Sequence, residues 1–186
     1  MKTLKKILLT AGALAVIIIS FLLYMGFFAS AKIEEKEEGG YIVVGMNFTG
    51  PYSKAGQYIG GVDTKLKALG IVSTKGFGIY YDDPKTTPPE KCRSFVGNIL
   101  DKKKIAEIKD IQSHGLKIDS IPKAKSVVIE FPIKNMISFM IGPMKIYPVL
   151  TKYMKEKKYK PVLSFEVYDN TEKKIIFVMQ YTSESI

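Results

Sequence analysis

The chain has 186 residues, 46% of them hydrophobic and 25% charged, with a formal net charge of +10. That composition fits one globular domain rather than a disordered or collagen-like chain. A single cysteine and a single histidine exclude an intrachain disulfide framework, a cysteine-rich zinc site and a multi-histidine metal site, and the chain contains no Ser-His-Asp signature, P-loop or dinucleotide fingerprint.

A basic segment, residues 1–6, carries Lys2, Lys5 and Lys6 ahead of an uncharged run over 7–28. As a helix those residues would span about 33 Å, against a hydrocarbon core of about 30 Å. A secretory apolar region is shorter, about 7–15 residues, so the length favours a retained membrane helix. Ala29-Ser30-Ala31 has the small-x-small form that a signal peptidase accepts, and a cleaved signal is the alternative. Three lysines and the α-amino group precede the helix, and only Lys32 and Lys36 follow it closely. This bias predicts a cytoplasmic N-terminus and a folded part outside the cytoplasm; with cleavage that part would be secreted or periplasmic. Residues 29–40 hold four glutamates and end on Gly39-Gly40, and read as a solvated acidic tether.

Residues 41–48 are apolar and β-branched, a buried strand. Ala55, Tyr58, Ile59, Val62, Leu66 and Leu69 then recur at helical spacing. Ser53 is placed to cap that helix and Gly70 to end it. A strand over 77–83 stops at Pro84, and a second over 91–100 follows Pro88-Pro89. Asp101 is expected to open a short helix with Ile105, Ile108 and Ile111 on one stripe, ended by Gly115, with His114 in its last turn. A further strand over 126–131 leads to helical spacing within 135–158, where Gly142-Pro143 and Pro148 predict a kinked or late-starting helix. Its methionines, Met136, Met140, Met144 and Met154, read as core rather than ligand contacts, with a flexible methionine wall of a promiscuous site as the alternative. Strands over 162–169 and 173–182 close the chain around Asn170-Thr171.

The order β-α-β-β thus occurs twice, in 41–100 and 125–182, with a connection over 101–124. The expected fold is α+β: two duplicated β-α-β-β modules, an antiparallel sheet and a cleft between the halves. Without residues 1–31 the chain keeps 25 basic and 18 acidic side chains, a net +7. Its lysines gather at Lys102, Lys103 and Lys104 and again at Lys152, Lys155, Lys157, Lys158 and Lys160. Arg93 is the sole arginine, so these clusters read as solvated helix faces that anionic headgroups would attract, and not as a nucleic-acid surface.

The stretch Gly78-Ile79-Tyr80-Tyr81-Asp82-Asp83-Pro84, with Pro88-Pro89-Glu90 after it, resembles the GyrI-like small-molecule-binding domains. Phe165-Glu166-Val167-Tyr168 resembles that family's second characteristic stretch, and Gly50-Pro51-Tyr52-Ser53 fits the same pattern. The resemblance covers residues 41–182. A membrane helix ahead of this domain is an arrangement similar to that of membrane-anchored members. The resemblance implies two fused modules with a groove between them, which many relatives use to bind amphipathic, often cationic or aromatic, small molecules. Some relatives carry a DNA-binding segment and some are implicated in hydrolysing reactive molecules; no helix-turn-helix is visible here.

Period-two alternation puts Ser164, Glu166 and Tyr168 on one strand face and Leu163, Phe165 and Val167 on the other. With helices over the apolar face, Glu166 and Tyr168 would point into the groove. A partly buried carboxylate among aromatics suits an organic cation, and desolvation would raise its pKa toward acid–base use. The competing reading is a solvated glutamate paired with a lysine. Tyr80 and Tyr81 point to opposite faces, so one of them reaches the groove. Phe48 and Tyr52 are further ligand-binding candidates, although core packing accounts for Phe48 equally well. Asp82 and Asp83 before Pro84 suit a turn, and Cys92 suits strand packing. No catalytic residue, metal ligand or cofactor is assigned. The expected function is a membrane-anchored module for an amphipathic or cationic small molecule. The alternatives are a hydrolase using Glu166 and Tyr168, or a tethered protein-interaction scaffold.

Overall fold

The computed structural model describes residues 2–27, 31–101 and 111–183. Helix α1, Lys2–Tyr24, has no buried residue and is long and apolar enough to cross a bilayer. Lys102, Lys103 and Lys104, the helix expected over Ile105 and Ile108, and Ala29-Ser30 of the cleavage motif lie outside the described residues. Ile111–His114 is a short 3-10 turn.

The folded part is one antiparallel sheet of β1 (Ile33–Glu38), β2 (Tyr41–Thr49), β3 (Lys75–Tyr80), β4 (Arg93–Leu100), β5 (Lys117–Ile121), β6 (Ala124–Pro132), β7 (Tyr159–Asp169) and β8 (Lys174–Ser183), with helices α2 (Ala55–Ala68) and α3 (Ser138–Glu156). The expected repeat is present as β2-α2-β3-β4 and β6-α3-β7-β8. Across the sheet the order is β1-β6-β8-β7-β3-β4-β2-β5. Exchanging the halves reproduces this order from the other end, a pseudo-twofold.

Strand β1 corrects the reading of residues 29–40 as a solvated tether. Ile33–Glu38 pairs along its whole length with β6. Its sequence lacks apolar alternation because it is an edge strand held by backbone bonds, and its charges protect the open edge. Strand β5 is its counterpart, pairing with β2. Each arm precedes one module and pairs with the other. Gly39 and Gly40 carry the chain from the β1 edge to β2, beside the opposite edge, so the sheet curls until its edges approach. The Gly40 N–H donates to the Ile121 carbonyl at 2.8 Å, and the Gln180 amide donates to the Glu38 and Pro122 carbonyls at 3.0 and 2.7 Å.

The register separates two cores. On one face Val127, Ile129, Ile175 and Phe177 pack with Ile141, Ile146 and Leu150 of α3, while Val44 packs with Val62 and Leu66 of α2. On the other face Val43, Phe77, Phe95, Phe165, Val167 and Val178 form a separate cluster. Among the described residues no helix supplies a side chain to that cluster, and the curling of the sheet buries it. Both helices therefore cover the face that bears Glu166 and Tyr168, and not the Phe165/Val167 face as expected.

Helix α3 starts late, at Ser138, and continues through Pro143 and Pro148. Its N-terminal Ser138 hydroxyl accepts the N–H groups of Lys134 and Asn135. Met136, Met140 and Met144 are exposed, against expectation; the β-branched Ile141 and Ile146 with Leu150 take the core instead, and Met154 alone of that set is buried. Ser53 does not cap α2, which is entered through a 3-10 turn. Gly70 does end it, at φ +76°.

Gly39 has φ +114°, and an added Cβ would overlap the Pro122 carbonyl oxygen. Gly39→Ala is expected to lower stability by about 2–4 kcal/mol. Gly60→Ala, with open space around its Cβ in α2, should raise it by about 0.5–1 kcal/mol. Urea unfolding of the detergent-solubilised chain checks both.

Candidate functional site

The seam between α2 and α3 lies over β3 and β7. Register puts Glu166 opposite Gly78 and Tyr168 opposite Gly76. The missing side chain at Gly78 lets the Tyr80 ring fold over the strand; an added Cβ would lie 2.6–2.8 Å from its ring and hydroxyl atoms. Gly76 leaves room in the same way for Ile59 of α2 and the Tyr168 ring.

Glu166 is 3% exposed at the centre of this seam. Its Oε1 accepts the Tyr147 hydroxyl of α3 at 2.9 Å, and its Oε2 accepts the Tyr168 hydroxyl at 2.8 Å. Tyr168 has one proton and gives it to Glu166, so Tyr80 donates in their 2.6 Å contact. A directed chain Tyr80→Tyr168→Glu166 results. Phe139 in the first turn of α3 packs 5.8 Å from the Tyr168 ring, and the Tyr52 ring meets Tyr80 at 4.7 Å. Tyr52 is itself held by its hydroxyl, which accepts the Asp82 N–H and reaches the Arg93 carbonyl, each at 3.0 Å. Asp82 in turn receives a forked bond from Arg93, and Asp83 caps the following turn.

Burial pushes the Glu166 carboxyl up to about 7, partly offset by the hydroxyl bonds from Tyr168 and Tyr147. Burial also pushes the Tyr80, Tyr147 and Tyr168 hydroxyls up, so all three remain protonated donors. No lysine pairs with Glu166 among the described residues, which removes the solvated ion-pair reading.

Four of the expected residues, Glu166, Tyr168, Tyr80 and Tyr52, come together. Tyr81 points away and is 54% exposed; Phe48 stacks on Tyr58 of α2 at 4.0 Å and does not bond the carboxylate. Tyr147 and Phe139 were not anticipated as site residues. Their signal is aromatic spacing along α3, four positions either side of Pro143, on the flank facing β7. Beyond Tyr80 lies a surface cavity of about 220 Å³ bordered by Tyr81, Ser164 and residues 161–163, where a bulge interrupts β7 between Pro161 and Leu163.

A carboxyl raised in the folded state holds a proton that the unfolded chain has already lost, so stability falls as pH rises from the ordinary carboxyl value to about 7. The full difference is about 3 kcal/mol. Glu166→Gln should remove that slope and be the more stable protein above pH 7; thermal unfolding of both proteins across this range checks it.

Residues 31–176 match the model of the GyrI-like small molecule binding domain. The chain is 36% identical over 99 residues to the testis-expressed protein 264 homolog of Mus musculus and 32% identical over 103 residues to testis-expressed protein 264 of Homo sapiens. These matches cover 50% and 53% of this chain but only 32% and 33% of the relatives. Among solved structures, the C-terminal domain of EcmrR superposes with a TM-score of 0.55 at 17% identity, over 82% of this chain and 98% of that one. Two modules, the curled sheet and a family match that includes β1 converge on one assignment: this chain belongs to the GyrI-like small-molecule-binding domain family.

Proposed function

We propose that the domain binds an amphipathic organic cation, with Glu166 as charge partner and Tyr168, Tyr80 and Tyr52 as walls. The observation that carries this reading is a buried carboxylate held by hydroxyls alone, in a small-molecule-binding family. Tyr147 and Tyr168 give the ionised carboxylate hydrogen bonds but no countercharge. A ligand cation would supply that charge in a desolvated setting, where Coulomb attraction and cation–π contact are strongest. Tyr80 borders both the hydroxyl chain and the 220 Å³ cavity, which Tyr81 also lines, so an apolar tail in that cavity would lie beside both rings. Phe48 acts indirectly, by seating α2.

The length of α1 supports a membrane anchor, and the lysine bias supports a cytoplasmic N-terminus with the domain on the other side. The near-neutral Glu166 also supports a second reading, hydrolysis with Glu166 and Tyr168 handling protons.

The test is calorimetric titration with a quaternary alkylammonium and with the neutral alcohol of the same tail. Only the cation should bind well, and its affinity should rise as pH passes upward through about 7, where Glu166 ionises. Glu166→Gln should weaken it by about tenfold or more with the fold intact. Equal affinity for both probes in both proteins would remove the charge-partner role. Ester turnover lost in Glu166→Gln would favour the hydrolase.

A further inference from the structure

The last turn of α1 is fastened to the segment that begins α3. Lys134 donates its ammonium to the Tyr24 carbonyl and sits 4.5 Å from the Tyr24 ring centroid. Asn135 donates to the sulfur of Met25, a residue wholly buried in the α3 core. Lys145 donates to the Gly26 carbonyl at 2.6 Å. These carbonyls lie at a helix end, where backbone oxygens lack intrahelical partners and attract cations.

Between those fastenings the turn before α3 and the first half of the helix present Met136, Met140 and Met144 at four-residue spacing, 82%, 61% and 67% exposed. Phe139 and Ile137 flank them, both partly exposed. No acidic residue occurs from Phe131 to Lys155, a stretch that holds Lys134, Lys145, Lys152 and Lys155. An apolar ridge bordered by lysines and free of carboxylates matches the boundary between acyl chains and headgroups, not a water-facing helix.

We infer that this ridge docks on the bilayer that α1 enters, seating Met136, Met140 and Met144 at the acyl–headgroup boundary. The inference rests on reading α1 as a membrane span. If α1 spans, its helix ends at Tyr24, an interfacial residue type. Lys134, Asn135 and Lys145 then lie at headgroup depth. The three methionines lie between Asn135 and Lys145 in the chain, both fastened to the end of α1. Phe139 links the ridge to the Tyr168 ring, which places one end of the seam beside lipid.

The chain contains no tryptophan, so a single introduced indole is a unique reporter. The full chain is reconstituted into phosphatidylcholine vesicles containing a minority of phosphatidylglycerol, with or without acyl-chain-brominated lipid. Met140→Trp and Met136→Trp, two exposed sites that leave the core untouched, should emit to the blue and be quenched by brominated lipid. Glu156→Trp, about 24 Å further along α3, should do neither. Leu14→Trp, in the middle of α1, should be quenched strongly. Strong quenching at position 14 with water-like, unquenched emission at 136 and 140 would overturn the docking while leaving the span intact. Blue emission at 140 without lipid quenching would mean a protein partner or a second copy covers the ridge, and would overturn it too. No quenching at position 14 would overturn the span and the docking together.

Discussion

A single sheet has two faces to bury, and among the described residues only one layer of helices packs on it. That constraint shapes the molecule. The Phe77, Phe165 and Val178 face is buried by bending the sheet around it, and bending brings the outer strands β1 and β5 toward each other. The chain exploits that approach by crossing between edges at Gly39-Gly40 and again after Ile121. The strand that precedes each module thereby pairs with the other module. The two halves are locked by backbone pairing rather than by side-chain packing alone, and Gln180, bridging Glu38 and Pro122, ties the two crossings together.

The helices are left with the outer face, where their cores form separately: α3 over β6 and β8, α2 over β2. Between them the sheet offers glycine at 76 and 78, and tyrosine rings fill the space. This explains how a carboxylate reaches near-complete burial without a cation. The seam is polar enough to hold Glu166 through two hydroxyls and too enclosed to let water solvate it, and the balance leaves its pKa near neutrality.

Strong periodicity made most of this legible in advance. The β-α-β-β repeat and the shared face of Glu166 and Tyr168 follow from periods of four and two that are visible in the residues. What was missed lacked such a signal or carried a misleading one. Strand β1 reads Ile-Glu-Glu-Lys-Glu-Glu, a solvated pattern whose pairing depends on a partner nearly a hundred residues away. Methionine spacing along α3 looks like a core stripe, yet isoleucine and leucine at neighbouring positions bury better against the sheet and turn the methionines outward. That rotation also swings Tyr147 toward β7, so the misjudged helix face and the missed site residue have one cause. The covered face was misassigned because alternation shows which residues share a side, not whether helices or curvature will bury it.

The net charge of +10 opposes a cation site, but by less than the total suggests. Surface lysines act through solvent with a screening length of about 8 Å at physiological ionic strength, while Glu166 sits in a dry seam where a contact charge is screened far less. Long-range repulsion therefore slows the approach of a small soluble cation more than it weakens the bound state. An amphiphile already partitioned into a membrane would largely avoid that penalty, since its local concentration is set by lipid and not by the protein's field. On the proposed reading, the basic surface, the methionine ridge and the buried carboxylate are compatible parts of one arrangement: the first two would favour a bilayer, and the third would select what arrives from it.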